Sequence, residues 1–171
     1  MPSCSNDEGP KTYNGDVELY SQEMVNEFGN QNYTSIEGNL VIADYEDDSF
    51  DITDLSPLNS LKIIEGYFNI GICEELEFID GFSDLEVIGE GFSVSYNDKL
   101  ISISGFESLE NLNGGLSFTD NPSLTNLNAF QNIKEIEYGL WFAENTALET
   151  IDTFYNLEKL GETLTLRGNT N

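Results

Sequence analysis

A chain of 171 residues with 39% apolar content is long enough to bury one sizeable core. Its 32 acidic residues against 6 basic ones leave a net charge of −26, which repels phosphate backbones and anionic lipid and argues against nucleic-acid and membrane-surface binding. There is no histidine, so the commonest general base is missing, and the two cysteines, Cys4 and Cys73, are too few for a disulfide framework.

Residues 1–15 are expected to form a flexible N-terminal tail. The start, MPSCSNDEGP, has no apolar h-region of a signal peptide, and no apolar run in the chain approaches the length of a membrane span. Residues 16–35 read as an N-terminal cap. Val17 and Leu19 alternate as a short strand would, and Ser21 suits a helix N-cap. Gln22 to Phe28 then places Met24, Val25 and Phe28 on one helical face, with Gly29 suited to the C′ position.

From residue 36 to residue 171 the chain repeats with an offset of 24. The segments EGYFNIGICEELEFIDGFSDLEVI (65–88), GEGFSVSYNDKLISISGFESLENL (89–112), NGGLSFTDNPSLTNLNAFQNIKEI (113–136) and EYGLWFAENTALETIDTFYNLEKL (137–160) align apolar position on apolar position. An earlier turn (37–64) fits with four extra residues between Ile42 and Ile52. One column reads Leu40, Phe68, Phe92, Leu116, Leu140, Leu164, and the column two residues on reads Ile42, Ile70, Val94, Phe118, Phe142, Leu166. Alternation with period two argues strand over helix. No coil can bury its own apolar side chains, but stacked coils share a core, so the expected fold is a mainly β, parallel β-solenoid of about five 24-residue coils behind a strand-helix cap. The Phe82, Phe106, Phe130, Phe154 column should stack ring on ring. The column Cys73, Asn97, Asn121, Asn145, Asn169 should face inward at a turn and satisfy backbone groups that no sheet ladder reaches. The final coil stops just after Asn169 with no cap, which predicts an end covered by further chain or by a partner, and end-on self-association through it.

These columns resemble the receptor L domain, in particular the motif Ser35-Ile-Glu-Gly-Asn-Leu-Val-Ile42 after the cap helix and the repeated N-x-x-L and F-x-x-L spacings over residues 16–171. The resemblance implies a right-handed solenoid, and it is nearest to the bacterial surface versions, including Asp54-Leu-Ser-Pro-Leu58. It implies an extracellular, cell-surface protein held to a bacterial outer membrane only through a lipidated Cys4. The acidic run that follows Cys4 resembles a surface-export tag.

Outward positions of the first strand in each coil run Val41, Asn69, Ser93, Ser117, Trp141, Thr165, with Ala43, Gly71, Ser95, Thr119, Ala143, Arg167 two residues on. Trp141 is the only tryptophan and belongs to no apolar column. On a flat face of small polar residues, with Tyr138 and Tyr96 nearby, it is an expected anchor for a glycan or protein ligand, with Ser95, Ser117, Thr119 and Arg167 as polar neighbours. Structural spacing or assembly within a surface protein is the alternative, and ice binding by the Ser/Thr rows a remote one. The acidic stretch Asp44–Asp51 with Asp54 reads as a solvated insertion loop rather than a calcium site, because it lacks the EF-hand order. No strand-end acid pair stands out for glycoside hydrolysis, so neither a catalytic residue, a metal nor a cofactor is expected.

Overall fold

The computed structural model describes residues 9–44 and 51–169. It is a β-solenoid of about six turns with one helix. Every strand pairing among the described residues is parallel, and the pairing partners are consecutive coils. The longest sheet stacks seven strands in chain order: Val17–Leu19, Leu40–Ala43, Phe68–Gly71, Phe92–Ser95, Leu116–Thr119, Leu140–Ala143 and Leu164–Arg167. A second face carries Thr12–Tyr13, Ser35–Ile36, Ile63–Ile64 and Val87–Ile88, continued in later coils by Asn111–Leu112, Glu135–Ile136 and Lys159–Leu160. Phe78–Ile79, Ser102–Ser104 and Asn126–Asn128 form the third.

The register places like residue over like. Phe92 pairs with Leu116, Leu116 with Leu140, and Leu140 with Leu164. The apolar columns are buried along the core as far as Leu148; Ile151, Phe154, Leu157 and Leu160 are partly buried against it. Each fully buried Phe or Leu contributes roughly 1.5–3 kcal/mol, so these ladders hold the coils together. The expected aromatic stack is present: Phe82–Phe106, Phe106–Phe130 and Phe130–Phe154 have ring centroids 5.4, 5.0 and 5.9 Å apart. Phe68–Phe92 and Phe118–Phe142 add stacked pairs at 4.7 and 5.0 Å.

The asparagine column is a second ladder, running at a bend where strand pairing stops. Asn121 Oδ1 accepts from the Asn97 backbone N–H at 3.3 Å and from Asn97 Nδ2 at 3.0 Å. Asn121 Nδ2 donates to Val94 O, Thr119 O and Asn145 Oδ1. The same pattern recurs from Asn145 to Asn169. Cys73 ends the ladder: its N–H donates to Asn97 Oδ1 at 3.0 Å, and its thiol faces Gly71 O and Ile42 O, where the other coils place an amide. The residue before each ladder position is left-handed: Ile72, Tyr96, Asp120 and Glu144 have φ of 54–57°, and Gly168 has φ 63°. One backbone conformation is thus imposed coil after coil, whatever the side chain.

At the N-terminus the cap forms with three differences from expectation. Thr12–Tyr13 already pair with Ser35–Ile36, ahead of the boundary at residue 16, so part of the expected tail belongs to the first coil. The helix Gln22–Gly29 is N-capped by Ser21, whose Oγ accepts from Met24 N–H at 3.3 Å. Gly29, however, is its last helical residue rather than a left-handed C′ stop. Asn30 caps it in the right-handed region, and the chain turns left-handed only at Asn32. The glycine is needed for close approach instead, since a Cβ there would lie 2.4 Å from Pro57 O. Val25 is buried, whereas Met24 is exposed and lies off the buried stripe. Gln22 fastens the helix to the coil below: its Oε1 accepts from Thr53 and Asp54 N–H, and its Nε2 donates to Asp54 O.

Most of the acidic insertion, residues 45–50, lies outside the described residues. Asp44, at its start, is buried, and its Oδ2 accepts from Ile52 N–H at 3.0 Å where the chain rejoins the coil. At the opposite end of the solenoid Leu164 and Leu166, which lie in register over Leu140 and Phe142, are 55% and 58% exposed.

Candidate functional site

The outward row of the long sheet is in register as expected: Asn69, Ser93, Ser117, Trp141 and Thr165 sit side by side, each half-buried. In the parallel row Ala43 and Gly71 are buried rather than outward-facing, while Ser95, Thr119 and Ala143 are half-buried. The third row on this side lies just before each strand. It reads Asn39, Tyr67, Gly91, Gly115, Gly139, Thr163. Three consecutive coils therefore present no side chain there, and the strip of bare backbone becomes a floor.

Aromatic rings occupy that strip from both ends. The benzo edge of the Trp141 indole rests on two glycines: a Cβ on Gly115 would stand 2.3 Å from Cζ3, and one on Gly139 2.7 Å from Cη2. From the opposite side, Tyr67 leans over Gly91, whose Cβ would stand 3.1 Å from Cε2 of its ring. The face is not the flat one expected from the sequence. An open groove of about 710 Å³ lies on it, lined by Tyr67, Tyr138, Trp141, Ser117, Asn113, Glu90 and Glu137 together with the glycines.

The floor carbonyls are already used in the ladder. Gly91 O accepts from Phe68 N–H, Gly115 O from Phe92 N–H and Gly139 O from Leu116 N–H, at 2.9–3.0 Å. The side-chain polar handles on the groove are the two exposed carboxylates, Asn113, and the Ser117 hydroxyl, which is 3.3 Å from Thr119 Oγ1. No basic residue lines the groove.

Of the residues singled out by sequence, Trp141, Tyr138 and Ser117 meet in this groove, and Thr119 touches it through Ser117. Ser95 and Tyr96 lie at the other end of their strand, with Tyr96 exposed on the left-handed turn. Arg167 is on the last strand, 3.9 Å from Glu144. Cys4 lies outside the described residues. Tyr67, Asn113, Glu90, Glu137 and the glycine strip were missed. Their signal was present in the repeat: glycine recurs at 91, 115 and 139, and Tyr67 breaks that column.

The other chemically distinctive group is inert. Cys73 is fully buried, and desolvation, then the Asp44 charge, push its pKa from 9.0 up to about 12, so it stays a thiol. Among the described residues no group of three or more His, Cys, Asp or Glu is arranged to hold a metal ion, and no helix is long and apolar enough to cross a membrane. Comparison with protein-family models, with curated proteins and with solved structures finds no match to this chain.

Proposed function

We propose that the protein is a non-enzymatic recognition module of the cell surface that binds a glycan or protein ligand in the Trp141 groove. The observation that carries this reading is the seat of Trp141. A large ring in a slot that the two adjacent coils fill with Ser117 and Thr165 is held over glycines that leave room for it. A rigid sheet that presents aromatic rings beside a few polar side chains is a common form of binding surface. Supporting the non-enzymatic part are the absence of histidine from the sequence and the inert Cys73. The surface location rests on the receptor L domain resemblance and on the acidic run after Cys4.

Trp141→Ser is the direct test, because it restores the residue type of neighbouring coils and keeps the sheet. Screened on glycan and protein arrays, the native chain should bind at least one class. The variant should lose roughly 30-fold or more in affinity, as expected for an aromatic anchor worth about 2 kcal/mol. Binding that survives the substitution undiminished would place the ligand elsewhere.

A further inference from the structure

Resting on the recognition reading above, we infer that the occupant of the groove is a basic peptide segment of a partner protein. It would lie extended along the solenoid axis, with an arginine or lysine side chain against the Tyr67 and Trp141 rings and beside Glu90 and Glu137. Charge complementarity and length carry this.

The charge argument is internal to the molecule. Lys99, Lys134 and Lys159 each pair with a glutamate one coil away, namely Glu75, Glu110 and Glu135. Arg167 lies near Glu144, and Lys11 sits over the Tyr33 ring and donates to Gln31 O. None of the six basic residues lines the groove; Glu90 and Glu137 enter no ion pair among the described residues, and the nearest compensation is the field of Lys159, which is paired with Glu135 and acts on Glu137 only as a lesser neighbour. Exposed carboxylates next to aromatic faces suit a cation: the rings attract it through their quadrupoles, and the carboxylates accept its hydrogen bonds. Guanidinium is especially suited, being weakly hydrated and able to stack. The net charge of −26 adds long-range attraction for a basic ligand, offers nothing to a neutral one, and repels an anionic one.

Length separates a peptide from a small amine. Tyr67 and Gly139 stand three coils apart in one column, about 14 Å at about 4.8 Å per coil. At about 3.4 Å per residue that span fits an extended segment of roughly four residues. A lone ammonium would fill only a fraction of the roughly 710 Å³ groove.

The probe is a fluorescein-labelled hexapeptide of alternating glycine and arginine, titrated against the full chain by anisotropy. A peptide with citrulline in place of arginine removes the charge and keeps the shape. Saturable binding of the arginine peptide is expected. It should weaken at least tenfold with citrulline, with the double variant Glu90→Gln/Glu137→Gln, and with Trp141→Ser, and it should weaken strongly in about 0.5 M NaCl. Equal binding by native protein and Trp141→Ser would show only attraction to the acidic surface and would overturn the inference. The single tryptophan supplies a second arm, read by its intrinsic fluorescence. If cellohexaose or the N-acetylated chitin hexamer, both neutral, shifts Trp141 emission while the arginine peptide does not bind, the basic-peptide inference fails and the recognition reading stands. If neither peptide nor sugar binds and Trp141→Ser changes nothing on the arrays, both fall.

Discussion

Replacing Asn121 by alanine takes away the acceptor of a buried backbone N–H, that of Asn97, and both amide N–H donors, which three acceptors share: Val94 O, Thr119 O and Asn145 Oδ1. An orphaned buried donor and the lost bonds together cost on the order of 3 kcal/mol. Asn121→Ala is therefore expected to lower the unfolding free energy by that amount, seen as a lower urea midpoint with an unchanged m-value. Asn121→Asp should be at least as damaging at neutral pH, because an acceptor-only carboxylate would face the carbonyls of Val94 and Thr119. An unfolding free energy within about 0.5 kcal/mol of the native protein for both variants would remove the ladder from the list of stabilising elements. The inward role of this column was legible in the sequence, because a polar residue recurring at one position between buried columns has to find buried partners. The exact seat of Trp141 was not. Its column shows that the scaffold does not need it, but only the structure shows where its ring lies.

Coil stacking depends on positions where one turn passes close to the next. A Cβ on Gly89 would stand 1.9 Å from Glu65 O, and Gly114 and Gly161 meet the carbonyls of Glu90 and Glu137 in the same way. None of these three has a positive φ, so the demand is for space alone. Gly89→Ala should cost roughly 1–3 kcal/mol by forcing two coils apart. Gly9→Ala, where nothing lies within 4 Å, should leave the thermal midpoint unchanged. Equal midpoints for the two variants would contradict the close packing of these turns. The cap helix illustrates the same distinction. Its N-cap Ser21 follows from local chemistry and was predicted, whereas Gly29 is set by contact with Pro57, far along the chain, and local rules misassign its role.

Across the whole molecule, 32 acids against 6 bases create self-repulsion that the few exposed lysine–glutamate pairs scarcely offset. Raising NaCl from about 0.01 M to about 1 M shortens the Debye length from about 30 Å to about 3 Å. The melting temperature is expected to rise with it, by roughly 2–4 °C for each kcal/mol of repulsion screened. KCl should act equally, since the effect is screening and not site binding. A flat or falling melting temperature in a salt series followed by circular dichroism would mean that the paired charges outweigh the general repulsion.

The repeat by itself determined the architecture. An offset of 24 that keeps seven columns apolar leaves a stacked parallel solenoid as the arrangement that buries them all, and register follows because like residues must lie over like. Aromatic stacking, the asparagine ladder and the N-cap were legible for the same reason: each depends on periodicity or on neighbours a few residues away. The groove was decided by tertiary structure. Tyr67, Glu90 and the pair Glu137 and Trp141 come from three different coils, and what joins them is the lean of two side chains across an empty glycine strip. Periodicity states which face a side chain leaves from. Where a long side chain comes to rest depends on which of its neighbours in other coils have no Cβ.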